Sequence, residues 1–516
     1  CMQDYKVQST HCNQLCSVHT FYVAVALHAG FFVGSMVYYN VVQRLWENAG
    51  VPMTDFLVLS SPLLICSLLV ACWCALLRKK VARGTSIRWR FAMSSRDTRF
   101  IASAVIVAAS LFLAARFLYT RYDGDNFTPT PMPEWEKQVK NNSKWIVVTT
   151  IQSPTKPMIR LSKLSGWSVV VVGDTKTPAD WSLSNCVFLS VERQKELNYR
   201  IHKLLPYRAY SRKNIGYLFA IRHGAHVIYE TDDDNELIAN SIEEAFQVDL
   251  KHLNKDLMVY TPERSTVNPY VHFGQGSIWP RGFPLSDIAH SYKPVRYSKY
   301  GTGLMPLIQQ GLANGDPDVD AIFRLTRKEA GKKIVVKFDE KAPPVALPPS
   351  MMTPFNSQNT LFHYQALWGM LIPITTTFRV CDIWRGYWAQ RLNWEVGGTL
   401  TFSTASVYQD RNEHDYTLDY ADEVDLYNDA GRLVKFLISW RAPSSASGFF
   451  DVARALSTDM AAAGFWKSGD VALINAWIGD LISVGYKEPP LYKPSNPKAA
   501  FGGNVAYQPK PGVTCK

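Results

Sequence analysis

Residues 227–237 read VIYETDDDNEL, an apolar run that ends on Glu230, Asp232, Asp233, Asp234 and Glu236. Like charges this close repel, and folding brings them closer still. Mg²⁺ and Mn²⁺ take carboxylate oxygens and share phosphate oxygens with a ligand. An acidic cluster at a strand end is therefore a candidate metal platform, through Asp232, Asp233 and Asp234, for a nucleoside diphosphate. The metal would support the leaving group as charge develops on it. The competing reading is a solvated acidic turn. A calcium loop would need Gly and Glu at positions where this run lacks them.

The flanking elements decide whether such a platform can form. WIVVTTI (145–151), WSVVVVGD (167–174), CVFLS (186–190) and HVIYE (226–230) are short β-rich runs, with helical patterns at 193–205 and 212–224. The alternation predicts an α/β fold, a mainly parallel, doubly wound sheet covered on both faces. Ligands in such sheets bind beyond the carboxyl ends of the strands. Those ends carry Thr149 and Thr150, then Gly173-Asp174, then the acidic cluster. A crevice lined by them would hold a nucleoside near Asp174 and a diphosphate near Asp232–Asp234. Gly216 sits inside the second helical pattern, where Gly costs about 1 kcal/mol relative to Ala; close approach to the sheet would explain it.

The chain has 516 residues, 47% apolar and 19% charged, with net charge +11. That is a globular profile with apolar segments added. It has no zinc-finger spacing, aromatic RNA-binding motif or long Lys/Arg run, so nucleic acid is not an expected partner. Nine cysteines are too few for a disulfide scaffold. Past residue 120 at most one bridge can form; Cys186–Cys381 is one pairing, and nothing in the sequence supports it.

Residues 100–119 are apolar and of spanning length, and predict a transmembrane anchor. Residues 21–39 and 56–77 are one or two further candidate spans in the N-terminal region 1–99. Residues 78–99 hold eight Lys/Arg and one Asp, which places that loop in the cytoplasm. The sequons at Asn126 and Asn141 then fall on the lumenal side, where glycosylation occurs. A start at Met93 would give a type II membrane protein with the same body topology. Residues 120–143 read as a Pro-rich lumenal stem. Past the sheet domain (144–430), residues 431–487 read as a helical annex and 488–516 as a flexible tail.

Four stretches carry a family resemblance: LLPYRAYSRKNIGYLFAIRHGAHVIYETDDDNE (204–236), HFGQGSIWPRGFPL (272–285), QQGLANGDPDVDAIFRLTRK (309–328) and FRVCDIWRGYWAQRL (378–392). In this order, over roughly residues 144–440, they resemble the STELLO-type glycosyltransferases, plant Golgi type II membrane proteins with animal and protist relatives. The resemblance implies a GT-A-like (Rossmann-like) fold, a nucleotide-sugar donor, a glycan or polysaccharide acceptor and a Golgi membrane location. In plants the family is linked to assembly of the cellulose synthase complex, so a polysaccharide synthase is a further implied partner. A non-catalytic scaffold for such a complex is the rival reading. Where the family's acidic motif reads Asp-Ala-Asp-Asp, this chain has Glu230-Thr231-Asp232-Asp233, with Asp234 added.

The resemblance also implies roles. Arg212 and Lys213, opening the helix before the acidic strand, would contact the donor. Asp318 or Asp320 in NGDPDVDAIF would meet a sugar, although Asp316, Asp318 and Asp320 also suit helix capping. The residues themselves suggest the rest: a carboxylate paired with Arg at a helix start, Asp382 with Arg385, suits a catalytic base or sugar anchor. Trp384, Tyr387 and Trp388 would either stack on a sugar or bury themselves in an amphipathic helix. His272 and His363 are further candidates for acceptor or metal contact.

Overall fold

Four of the β-rich runs form the parallel half of a sheet in the computed structural model. The structure describes residues 131–253, 256–293, 295–301, 304–327, 334–410, 415–493 and 501–510, all within one unit, Phe127–Lys516. The predicted membrane segments, the basic loop 78–99 and Asn126 lie outside the described residues. Among the described residues no helix is long and apolar enough to cross a membrane.

The parallel half contains β1 (Lys144–Thr149), α1 (Lys156–Leu161), β2 (Ser168–Val172), β3 (Cys186–Leu189), α2 (Val191–Glu196), α3 (Lys213–Arg222) and β4 (Val227–Thr231). The strand order is β4-β1-β2-β3, with every pair parallel. These strands read as continuous apolar runs because both faces are covered. Trp145, Val147 and Val170 pack on one face, and Ile146, Val148 and Val171 on the other. Each such side chain contributes about 1.5–3 kcal/mol on burial. A Cβ on Gly216 of α3 would lie 2.7 Å from methyls of both Val147 and Val172. The close approach inferred from sequence is thus real. Gly216→Ala should destabilise the fold by about 1–3 kcal/mol through overpacking, read as a lower midpoint in denaturant unfolding.

The rest of the sheet departs from the expected parallel pattern. It adds β5 (Asn235–Leu237), β6 (Met258–Tyr260), β7 (Tyr297–Tyr300), β8 (Met305–Gly315), β9 (Val345–Ala346), β10 (Asn359–His363), β11 (Gly398–Gln409) and β12 (Phe501–Val505). The full order is β12-β7-β6-β9-β11-β8-β10-β4-β1-β2-β3, with β5 on β11. β10 runs antiparallel to both β4 and β8, so the sheet is mixed. The long strands β8 and β11 escape a hydrophobicity reading because they bury polar residues. Gln310 donates to the Asn359 carbonyl at 3.0 Å, and Asn359 to that of Leu312 at 3.0 Å. Such bonds remove most of the cost of burying amides.

The helices that follow are α4 (Ala321–Thr326), α5 (Phe378–Asn393), α6 (Tyr416–Asp422), α7 (Val424–Ser439), α8 (Phe449–Ala462) and α9 (Ser468–Ser483). α7–α9 fall where the annex was expected, and their apolar faces share one core with α3 and α5. Three expectations are corrected. The helical pattern at 193–205 breaks after α2, because Asn198 adopts a left-handed backbone (φ 49°) and a 3₁₀ turn follows. The stem's last residues dock on the body: Trp135 stacks on Phe219, and Glu136 is buried beside Arg222. Residues 501–505 of the expected flexible tail pair with β7 at the sheet edge, since backbone pairing needs no apolar side chain. Cys186 and Cys381 are both free thiols.

Candidate functional site

A cleft opens beside the end of β4, with a volume of about 150 Å³. Four predicted residues line it: Asp232, Asp234, Asp318 and Asp382. They come from the turn after β4, the loop before α4, and α5.

β4 ends at Thr231, and partners sort the acidic run: Glu230 and Asp232 bond residues of α3, whereas Asp233 bonds Thr150. Glu230 is fully buried, pairs with Arg385 of α5 at 2.7 Å and accepts a bond from Tyr217 of α3. Arg385 is therefore a buried anchor, packed against Phe355 and Phe362, and is not among the residues that line the cleft. Asp232 accepts from Tyr210 at 2.7 Å and from Lys213 at 3.2 Å. Asp233 accepts from the Thr150 hydroxyl at 2.6 Å, and its backbone carbonyl from Thr155. Burial raises the Asp233 carboxyl above its usual range, against the pull of Thr150. Gln409 of β11 donates to Asp234 at 3.3 Å. Asp232 and Asp234 are thus the two aspartates of the run whose oxygens could meet a cation in the cleft. Among the described residues no group of three or more His, Cys, Asp or Glu could hold a metal ion.

Lys213 is fully buried, and its Nζ donates to Tyr210, Asp232 and the carbonyls of Thr231 and Ser357. It locks the acidic turn to the loop before β10. Arg212 bonds Gln194, which in turn holds the carbonyls of Gly173 and Leu189. The Arg212 guanidinium lies 4.5 Å from the Tyr207 ring centre. Asp174 accepts from the N–H groups of Thr175 and Ala209, so it fixes the segment that delivers Tyr210. Thr149 is half-buried at the end of β1. Asp174, Arg212 and Thr149 do not line the cleft.

The other wall centres on Arg281, a residue that sequence reasoning passed over. It bonds Asp318 through Nε (2.8 Å) and Nη2 (2.9 Å), and Asp382 through Nη1 (3.1 Å) and Nη2 (3.0 Å). Burial works against its charge, but Asp318 and Asp382 prevail and hold its pKa well above the usual value. The signal was Trp-Pro-Arg-Gly: Gly282 has φ 82°, and a Cβ there would lie 2.4 Å from Ile383 of α5. Only glycine lets this loop press so close to the helix. Asn356 completes the wall, donating to Asp318 at 2.8 Å.

The remaining candidates take structural places. Asp320 caps α4, accepting from Phe323 at 2.8 Å and from Trp279 at 2.6 Å, and Asp316 pairs with Arg324 at 2.7 Å. Asp382 lies within α5 and caps nothing; Thr377 is the helix's N-cap. Trp384, Tyr387 and Trp388 are buried, with polar atoms bonded to Phe465, Gly282 and Ser457. His272 and His363 sit in buried networks, where desolvation pushes each pKa down to about 4. The aromatic groups at the cleft are instead Tyr210 and Phe378.

Burial pushes the Asp320 carboxyl up to about 6. That lies above the unfolded value of about 3.9, so protonated Asp320 favours folding below about pH 4. The contribution is lost as pH rises through the folded value. Stability should therefore decline between about pH 4 and 6. Asp320→Asn, which keeps a capping oxygen, should flatten that decline in urea midpoints measured across the range.

Fold and site together define a mixed α/β protein whose carboxylate-lined cleft lies at the strand ends. Residues 379–502 match the family model of the STELLO glycosyltransferases. Two Arabidopsis thaliana proteins, "Probable glycosyltransferase STELLO1" and "Probable glycosyltransferase STELLO2", are each 42% identical to it over 371 residues, 70% of this chain and 47% of the relative. The body of the chain is of the STELLO type. The chain spans about half the length of these curated relatives.

Proposed function

We propose that this chain is a Golgi membrane glycosyltransferase with a lumenal GT-A-like domain. It transfers a sugar from a divalent-metal-bound nucleoside diphosphate sugar to a hydroxyl of a glycan. The observation that carries this reading is the convergence of Asp232, Asp234, Asp318 and Asp382 on one cleft beside a parallel strand end. Asp232 and Asp234 would hold Mn²⁺ or Mg²⁺, whose preference for carboxylate and shared phosphate oxygens they suit. The bound ion would offset the charge of the diphosphate leaving group. In the transfer, the bond from the sugar carbon to the diphosphate oxygen breaks and one to the acceptor oxygen forms. The acceptor proton goes to a carboxylate, for which Asp382 and Asp318 are the candidates. Thr149 at the end of β1, Asp174 just past β2 and Arg212 just before α3 would contact the nucleotide. The exposed sequon residue Asn141 is compatible with a lumenal body.

A second reading, a non-catalytic scaffold for a membrane polysaccharide synthase, draws on one observation. The described residues hold no group of three metal-ligating side chains. Calorimetric titration of the purified full-length chain with UDP- and GDP-sugars, with and without Mn²⁺, separates the two. Binding that requires Mn²⁺ is expected for the transferase. A folded chain that binds no donor favours the scaffold.

A further inference from the structure

Helix α5 hides nearly all of itself. Every residue from Arg379 to Asn393 is buried, yet Phe378, at its first position, is 60% exposed. A bare Phe at the head of a buried helix gains little from folding. It lines the same cleft as Asp232, Asp318 and Asp382. Its ring stands edge-to-face with Tyr210, centroids 5.8 Å apart. Tyr210 is held in turn by bonds of 2.7 Å to Asp232 and to the Ser357 hydroxyl. An apolar ring is thus fixed in a cleft whose other groups, besides Tyr210, are carboxylates, the guanidinium groups of Arg281 and Arg379, Ser357 and the amides of Asn356, Gln358 and Gln409.

The cations here are already engaged. Lys213 donates to four oxygens. Arg281 spans two aspartates, and Arg379 pairs with Glu423 at 2.6 Å. An anionic ligand group in this cleft would meet carboxylates without a cation of its own.

We infer that Phe378, braced by Tyr210, forms a subsite for one neutral pyranose ring. The slightly positive C–H face of the sugar lies on the negative face of the aromatic ring, and its hydroxyls reach the amides and carboxylates. A uronate is rejected for want of a counter-charge. The inference deepens the transferase reading and rests on it only for the source of the ring, which is either the donor's sugar or the terminal residue of an acceptor glycan.

Saturation-transfer NMR on the full-length chain tests this. The donor probes are UDP-glucose and GDP-mannose with Mn²⁺, beside UDP and GDP alone. The nucleotide-free probes are cellotetraose, maltotetraose and mannotetraose, with UDP-glucuronate and trigalacturonate as anionic controls. Transfer to the C–H protons of one sugar face is expected with at least one neutral probe. Phe378→Ala should abolish it and weaken that probe about tenfold, while Phe378→Trp retains it and UDP or GDP affinity stays the same. Loss confined to nucleotide sugars assigns the ring to the donor; loss confined to oligosaccharides assigns it to the acceptor. If an oligosaccharide signal vanishes in Phe378→Ala and no nucleotide compound binds the parent chain, the subsite stands and the transferase reading falls. Saturation transfer that is unchanged in Phe378→Ala, transfer to none of the neutral probes, or equal binding of the anionic controls overturns the subsite.

Discussion

Replacing Arg281 with Met should destabilise the folded chain by about 3–5 kcal/mol. The side chain is buried between Asp318 and Asp382 and bonds both. Without it the two buried carboxylates lose their shared cation, each still desolvated. Lys in its place should recover only part of the loss, because an ammonium cannot reproduce the paired bonds of a planar guanidinium. Adding Asp318→Asn and Asp382→Asn to Arg281→Met removes the stranded charges and should restore much of the stability. Denaturant midpoints of the four proteins check this. A loss in Arg281→Met that the added Asn substitutions leave unchanged would mean that Arg281 acts by packing rather than charge.

The second large effect concerns binding. Asp232→Asn with Asp234→Asn should weaken Mn²⁺-dependent binding of nucleotide sugar by about 100-fold, or about 2.8 kcal/mol. Asp233→Asn should change it by less than about threefold, or about 0.7 kcal/mol. The contrast follows from orientation: Asp232 and Asp234 line the cleft, whereas Asp233 is spent on Thr150. Calorimetry of the variants beside the parent chain decides it. Equal losses in all the variants would mean that the acidic run acts by overall charge rather than through two placed ligands.

Much of the architecture was legible because its signals are local. The parallel strands announce themselves as short β-branched runs, and the C-terminal helices as amphipathic patterns. Thr150, Asp174 and the acidic cluster could be placed at strand ends before any coordinates. β8 and β11 were not legible as strands. Their buried Gln310 and Ser406 look like loop residues until β10 arrives to share hydrogen bonds with them. The edge pairing of residues 501–505 was hidden for a related reason, since it depends on backbone groups and on the position of β7.

The candidate site divides in the same way. Residue type and spacing together with the family resemblance nominated Asp232, Asp233, Asp234, Asp318 and Asp382, of which Asp233 is spent on Thr150. The roles of Arg385 and Lys213 could not be settled there, because a charged residue in a sequence carries no record of its partner. Arg385 goes to Glu230, and Lys213 to the backbone carbonyls around the acidic turn. Arg281 went unnoticed because it sits far along the chain from both carboxylates it joins.

By itself, the sequence determined the alternation of strands and helices and the collection of carboxylates, since burial periodicity and turn chemistry act between near neighbours. The tertiary structure alone decided which carboxylates face the cleft and which partner each one takes. That choice depends on strand direction and on the desolvation of charges brought together by folding, and neither exists until distant segments pack.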